Sequence, residues 1–357
     1  MRLDIKLPTF FPDATRGVIK SIDSLDLTLS GIEGIIVNTY HLYNTPGIDI
    51  LKKAGGIKNF MNFNGTVISD SGGFQILSLV YQNSKLGKIE DSGVTFFQIS
   101  KGGDKKTVFM SPEKCIETQF DIGSDILITL DDCPPRWKES KKDIKSHINR
   151  TIMWAKRCKD EYLRQIKLRK LKNKPLLFAV IQGGEYKDLR KYCAEQLIKI
   201  GFDGYCFGGW PMKENGEFNI EILSYTAKLM PQGAFKYALG VGDPASIIQC
   251  AKSGYNIFDC VLPTRDARHK RLYLFKKNPD KVNILNDTDL FEFILINKEK
   301  YKDDFSPISN FCDCFTCKNY SKAYLHHLFS IEDTLAYRLA TIHNLRVYSK
   351  TIELIRN

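Results

Sequence analysis

Leu176-Leu177-Phe178-Ala179-Val180-Ile181-Gln182 is the stretch on which the fold turns. Six apolar residues follow one another without a polar alternate, and the run stops at a glutamine. A strand with one wet face alternates apolar and polar residues, whereas an unbroken run fits a strand covered on both faces, as in a parallel sheet. Seven more short runs recur along the chain, at Pro8 to Phe11, Gly34 to Thr39, Thr66 to Ser71, Asp125 to Asp132, Tyr205 to Trp210, Tyr237 to Gly242 and Ile257 to Leu262. Helical stretches lie between several of them. Leu189, Tyr192, Cys193, Leu197 and Ile200 recur at helical spacing and stop at Gly201; Ala245 to Ala251 follows Pro244 and stops near Gly254. Eight strands alternating with helices predict an α/β fold of the (β/α)8 TIM barrel type, with a doubly wound open sheet as the alternative.

The polar residues favour the barrel. Asn38 and His41, Asp70, Asp131, Gln182, Gly208 and Gly209, Gly240 to Gly242, and Asp259 stand at or near the C-terminal ends of successive runs. In a closed barrel those ends converge on one face, where such enzymes carry their chemistry. Two regions break the alternation. Ile76 to Ser111 is polar, Gly-rich and partly β-like, which reads as an insertion on the active face or as an inert surface hairpin. Lys138 to Lys174 is rich in lysine and arginine and carries an apolar stripe through Ile144, Ile148, Ile152 and Ala155, as a solvated barrel helix does.

The chain has 357 residues and a formal net charge of +11, with a pI of about 9.0. That balance favours an anionic partner such as nucleic acid or a membrane surface. No apolar run approaches membrane-spanning length, and Met1-Arg-Leu-Asp-Ile-Lys-Leu-Pro8 lacks a signal-peptide core, so a soluble, cytoplasmic protein is expected. Of the 10 cysteines, most are scattered singly in apolar contexts, as small buried hydrophobes are in a reducing compartment. Cys312, Cys314 and Cys317 are clustered instead. Three thiols in so short a span point to a metal, and zinc with three cysteines and one histidine forms a closed structural site. A helix-like stretch from Asn319 to Asn344 follows, and spacing alone leaves His326, His327 and His343 all open as the fourth ligand.

Asp259 lies inside the apolar run Ile257-Phe-Asp-Cys-Val-Leu262, with Arg265 and Arg268 just downstream. An acid there is either partnered or used chemically. A strand-end salt bridge is the plain alternative. Asp70 introduces Ser71-Gly72-Gly73-Phe74-Gln75, in which glycines let backbone amides approach a ligand and Phe74 offers a flat face to a heterocycle. An Asp, a Gln and a Gly amide, at Asp131, Gln182 and Gly209, supply an acceptor and two donors, the complement of a guanine-type edge.

With these segments in this order, the sequence resembles the tRNA-guanine transglycosylases (queuine tRNA-ribosyltransferases). Asn38-Thr-Tyr-His-Leu42, Asp70-Ser-Gly-Gly-Phe-Gln75, Gly240-Val-Gly242, Phe258-Asp-Cys-Val-Leu-Pro-Thr-Arg265 and the cysteine cluster carry the resemblance, which extends from about Pro8 to Tyr348. It implies an irregular barrel over 1–300, including the insertion near 76–111, and a zinc-binding helical subdomain over 301–357. It implies exchange of the wobble guanine of GUN-anticodon tRNAs for a 7-deazaguanine, 7-aminomethyl-7-deazaguanine or queuine, in queuosine modification. Asp259 becomes the nucleophile on ribose C1′ and Asp70 the general acid/base. Asp131, Gln182 and Gly209 read the base, with Ser71, Gly72, Gly73 and Phe74 in its pocket. Gly240-Val241-Gly242-Asp243-Pro244-Ala245-Ser246 and Thr264-Arg265-Asp266-Ala267-Arg268 correspond to segments that contact the tRNA anticodon loop. Cys312, Cys314, Cys317 and His343 become the ligands of one structural Zn2+ per subunit, and the assembly implied is a homodimer.

The chain departs from that pattern at Gly208-Gly209-Trp210-Pro211-Met212-Lys213-Glu214, where bacterial members usually show Gly-Gly-Leu followed by small residues and Gly-Glu. Asp132 replaces a more usual Glu, and Lys270 follows His269 where Gly is common. Competing readings are a catalytically silent RNA-binding partner subunit, a related exchanger acting on another deazaguanine or on DNA, and a nucleosidase. Retention of Asp259, Asp70 and Asp131 argues against the first, and the zinc subdomain against the last.

Overall fold

The computed structural model describes residues 5–83, 86–99, 105–135, 140–287 and 289–357. Strands numbered in chain order are β1 Thr9–Pro12, β2 Gly34–Asn38, β3 Thr66–Asp70, β4 Gly87–Glu90, β5 Gly93–Ile99, β6 Lys105–Met110, β7 Ile126–Ile128, β8 Leu176–Ile181, β9 Gly204–Phe207, β10 Phe235–Ala238, β11 Ile257–Cys260, β12 Arg271–Phe275 and β13 Phe291–Leu295. Eight of them form one sheet in the order β1-β11-β10-β9-β8-β7-β3-β2. That order never doubles back, as a doubly wound sheet must, and an isolated parallel bridge joins Asp13 to Ile36 beside the two end strands. The architecture is a nearly closed eight-stranded parallel barrel. Each of the eight apolar runs overlaps one of its strands, although β10 begins two residues before the run at Tyr237, and β2, β7 and β9 are buried at every position.

The chain divides into two compact units, one of Val37–Phe60 and Val67–Tyr237, the other of 5–36, Met61–Thr66 and Ala238–Asn357. In the first, the irregular stretch between β3 and β7 forms the antiparallel sheet β4-β5-β6; of the segment read as an insertion, 84–85 and 100–104 lie outside the described residues. Its β4–β5 turn is pinned to the helix Lys141–Leu168, where Trp154 Nε1 donates to Asp91 O at 2.8 Å and Arg157 Nη2 to Ser92 O at 3.0 Å. That helix begins at Lys141 behind Ser140, whose side chain accepts from Asp143 N; Lys138 lies outside the described residues. Its buried stripe passes through Ile144, Ile148, Thr151 and Ala155, with Ile152 only half-buried. Eight residues at about 100° each carry Ile152 well round the helix from Ile144.

In the second unit, the helix-like stretch from Asn319 to Asn344 is not continuous. Helices Phe315–Asn319, Lys322–Ser330 and Thr334–Arg356 replace it. Glu332 has φ +56°, and Asp333 accepts from Leu335 N to start the last helix, so a left-handed residue and a capping acid interrupt an otherwise apolar periodicity. These helices and the β12–β13 hairpin bury Leu272, Ile296, Ile308, Leu325, Leu339 and Ile342 together. The long helix also holds the first strand and the helix Ser24–Leu29 of its unit. Tyr348 packs on Phe10 with ring centroids 4.8 Å apart, and Arg338 grips Asp26 through two bonds of 2.7 and 2.8 Å. Among the described residues no helix is long and apolar enough to cross a membrane.

Candidate active site and metal centre

In the first unit, Asp70 closes β3 as a half-buried carboxylate. Asn38 Nδ2 donates to its Oδ2 at 2.8 Å and to Gln75 Oε1 at 2.8 Å, while Asn38 Oδ1 accepts from His41 N at 3.1 Å and so caps the next helix. Asn38 is thus the residue that orients Asp70. Gly72 N also reaches Asp70 Oδ2, at 3.3 Å. Gly72 has φ +79°, and a Cβ there would lie 2.6 Å from Tyr40 Cβ, so only glycine permits this turn. Ser71 is buried and accepts from Gly73 N. Phe74 is exposed and meets Trp210 edge to face, with ring centroids 5.2 Å apart.

Asp131 and Gln182 are in direct contact, Gln182 Nε2 donating to Asp131 Oδ2 at 2.6 Å. Burial pushes the Asp131 carboxyl up to about 7; the Gln182 bond opposes the shift and the charge of Asp132 adds to it. Gln182 Oε1 is buried and finds no hydrogen-bond partner among the described residues. The Gly208-Gly209 loop lies against the same amide, since a Cβ on Gly208 would fall 2.5 Å from Gln182 Nε2 and one on Gly209 3.4 Å from Gln182 Oε1. The three residues expected to read a base therefore adjoin one another.

The neighbouring Asp132 behaves in the opposite way. It is fully buried and bonds Tyr81 OH at 2.7 Å, His147 Nδ1 at 2.9 Å and Arg150 Nη1 at 2.5 Å. Burial alone would raise its pKa, but the bonds to His147 and Tyr81 and the nearby cationic charge hold it below the ordinary carboxylate range. Two adjacent acids thereby have their pKa values pushed in opposite directions. Sequence reading missed this network because Tyr81, His147 and Arg150 are scattered in the chain. Tyr81 also lines a cavity of about 450 Å³ with Phe74, Ser78, Cys133, Pro134, Pro135 and Trp210.

In the second unit, Asp259 stands half-buried in β11 between buried Phe258 and Cys260. Gly240 N donates to its Oδ1 at 2.7 Å, which fixes the carboxylate rotamer. Gly242 permits the close approach of β11, because a Cβ there would lie 2.0 Å from Cys260 Sγ. Of the segment 240–246, Gly240 is exposed, whereas Val241, Gly242, Pro244 and Ser246 are buried, Asp243 caps the helix Pro244–Lys252 and Ala245 is half-buried. Within 264–268, Arg265 is exposed and Arg268 half-buried, its Nη1 donating to Thr264 O at 2.8 Å. Thr264, Asp266 and Ala267 face inward, and Asp266 accepts from Tyr273 OH at 2.5 Å. The outward surface of these two segments is thus narrower than their length.

Cys312, Cys314, Cys317 and His343 bring their ligand atoms within 4.8 Å of one another. Cys314 Sγ lies 3.6 Å and Cys317 Sγ 3.3 Å from His343 Nδ1. Tetrahedral zinc, with its usual bond lengths, sets sulfur and nitrogen ligands roughly 3.6 Å apart. His343 Nε2 is 2.7 Å from Tyr273 O; a carbonyl can only accept, so Nε2 carries the proton and Nδ1 is left as the ligand nitrogen. Hydrogen bonds from Cys312 and Cys317 push the Cys314 thiol well below its ordinary range, toward the thiolate a metal requires. The group can hold a metal ion and is compatible with structural zinc. It selects His343 from the three histidines that spacing left open.

A family profile described as queuine tRNA-ribosyltransferase matches residues 2–357. Among curated proteins, the queuine tRNA-ribosyltransferase of Staphylococcus haemolyticus (strain JCSC1435) is 40% identical over 349 residues, covering 98% of this chain and 84% of the relative. That of Actinobacillus pleuropneumoniae serotype 3 (strain JL03) is 39% identical over 352 residues, covering 99% of this chain and 85% of the relative. A third, from Lysinibacillus sphaericus (strain C3-41), is 40% identical over 349 residues, with 98% and 84% covered. A match of this length, on a chain with a barrel and a Cys3His centre, means that the protein belongs to the queuine tRNA-ribosyltransferase family.

Proposed function

We propose that this protein is a tRNA-guanine transglycosylase that exchanges the wobble guanine of GUN-anticodon tRNAs for 7-aminomethyl-7-deazaguanine or queuine. Asp259 attacks ribose C1′, the bond to N9 of guanine breaks with its electron pair leaving on the base, and Asp70 delivers the proton. The incoming base loses a proton to Asp70, attacks C1′ and displaces the carboxylate, so two inversions restore the configuration. Asp131, Gln182 and Gly209 read the base edge, and Phe74 stacks on its face over Ser71-Gly72-Gly73. Arg265 and Arg268, with the loop at Gly240, hold the anticodon backbone, which is never cut. Zinc on Cys312, Cys314, Cys317 and His343 would crosslink a subdomain over 301–357 beside a catalytic region over 1–300. The setting is a cytoplasmic homodimer.

The observation that carries this reading is Asp259 itself, a half-buried carboxylate in an apolar strand with one oxygen held by Gly240 N at 2.7 Å. Such fixing orients a nucleophile and does not neutralise it. The test mixes the protein with labelled guanine and an unmodified tRNA carrying a GUN anticodon. Wild type should exchange the base and yield a covalent RNA adduct on a denaturing gel, and Asp259→Asn should do neither. Exchange by that variant at the wild-type rate would sink the assignment.

A further inference from the structure

Arg190 lies on the helix Lys187–Ile200 with 1% of its surface exposed. Its guanidinium sits 4.2 Å from the centroid of the Phe207 ring. Around that plane Nε donates to Gly184 O at 2.7 Å, Nη1 to Ile181 O at 3.2 Å and Nη2 to Gly208 O at 3.1 Å. The three carbonyls belong to the two stretches that leave β8 and β9, the ones bearing Gln182 and Gly209. Gly183 makes room for this arrangement, since a Cβ there would meet Arg190 Cγ at 2.5 Å.

A trans peptide directs its C=O and its N–H to opposite sides. With Gly208 O turned onto Arg190, the N–H of the same peptide, that of Gly209, is aimed away from the arginine. A cation hydrogen-bonded to the carbonyl also draws electron density from the N–H, which strengthens it as a donor. The geometry points to Arg190 as a positioning residue for base recognition: through the Gly208–Gly209 peptide it aims and polarises the N–H that meets the 6-oxo group of a guanine-type base. This rests on the reading of Gly209 as a base-reading group.

A purely structural arginine and a positioning one differ in what their loss does to discrimination. The test compares wild type with Arg190→Lys, and with Phe207→Leu, which removes only the platform beneath the guanidinium. Inhibition constants for guanine and for 2-aminopurine, which lacks the 6-oxo group, are measured against tRNA exchange, alongside the KM for tRNA and the circular dichroism spectrum. In Arg190→Lys, guanine should bind about tenfold more weakly, the weight of one well-aligned hydrogen bond to a polarised donor. Binding of 2-aminopurine, the tRNA KM and the spectrum should stay put, and Phe207→Leu should move guanine in the same direction by less. Equal losses for both purines, or full discrimination retained in both variants, would overturn the inference. A wild type that exchanges no guanine would defeat the proposed function instead, so the two failures are distinguishable.

Discussion

Lowering the pH from 8 to 6 should weaken capture of free guanine about tenfold, with the midpoint set by Asp131. Burial carries this carboxyl from the ordinary 3.8 up to about 7. Only the ionised form offers both oxygens to the N1–H and amino group of guanine, and a group of that pKa is about one-tenth ionised at pH 6 and about nine-tenths at pH 8. Affinity should therefore rise with pH and level off above the midpoint. The same shift acts on folding. Because the native pKa lies above the unfolded one, the native state binds the extra proton between roughly pH 4 and pH 7, and stability falls across that window as pH rises. The accumulated loss is about 4 kcal/mol, from roughly three units at 1.36 kcal/mol each. Asp131→Asn removes the titration, so it should be more stable than wild type at pH 8 by up to that order and converge with it below pH 4. The assays are the KM of labelled guanine at saturating tRNA between pH 5.5 and 8.5, and urea unfolding over a wider range. A guanine KM that is flat or improves on acidification refutes the reasoning, as does an Asp131→Asn protein that keeps the wild-type profile.

Cys317→Ser should lower bound zinc, read by atomic absorption, and lower the unfolding temperature; unchanged metal content would end the zinc assignment. Trp210→Leu should shift the preference between 7-aminomethyl-7-deazaguanine and queuine by about tenfold, because Trp210 walls the cavity beside Phe74 and one side chain of that size decides such ratios. An unchanged ratio in a competition assay would relocate the specificity elsewhere. Asn344→Ala should cost about 3 kcal/mol in urea unfolding, since it removes three bonds of a buried side chain at roughly 1 kcal/mol each, to Tyr273 N, Pro263 O and Arg271 O. A loss below about 1 kcal/mol would show those bonds to be redundant.

The barrel was legible because a strand covered on both faces leaves an unmistakable run, as at Leu176–Ile181, and because a polar residue or a glycine stands near the end of seven of the eight runs. The hairpin of Arg271–Phe275 and Phe291–Leu295 escaped notice. Leu272 to Phe275 is itself an unbroken buried apolar run and was a usable signal, whereas Phe293 and Leu295 of the partner strand are exposed and leave neither an unbroken nor an alternating pattern there. The break at Glu332 was hidden for a different reason. A left-handed residue that is not glycine leaves no mark on apolar periodicity, although Asp333 before Thr334 was a capping signal. The environments of Asp131 and Asp132 were also out of reach, because two adjacent aspartates look alike until His147 and Arg150 are folded against one of them. Nor does Leu189-Arg190-Lys191 say which of its two cations is buried.

His343 and Asn344 are consecutive residues on the helix Thr334–Arg356, one facing the cysteines and the other bonding the chain at Pro263, Arg271 and Tyr273. During synthesis the strand bearing Asp259 leaves the ribosome well before this helix does. Until the helix emerges, the backbone behind Asp259 lacks those anchors, the thiols lack their histidine, and Phe10 lacks the Tyr348 ring that covers it. A nascent chain stopped short of residue 334 thus carries every acid of the proposed reaction with the segment downstream of Asp259 still unanchored, and completing one helix settles the metal centre, that segment and the first strand together.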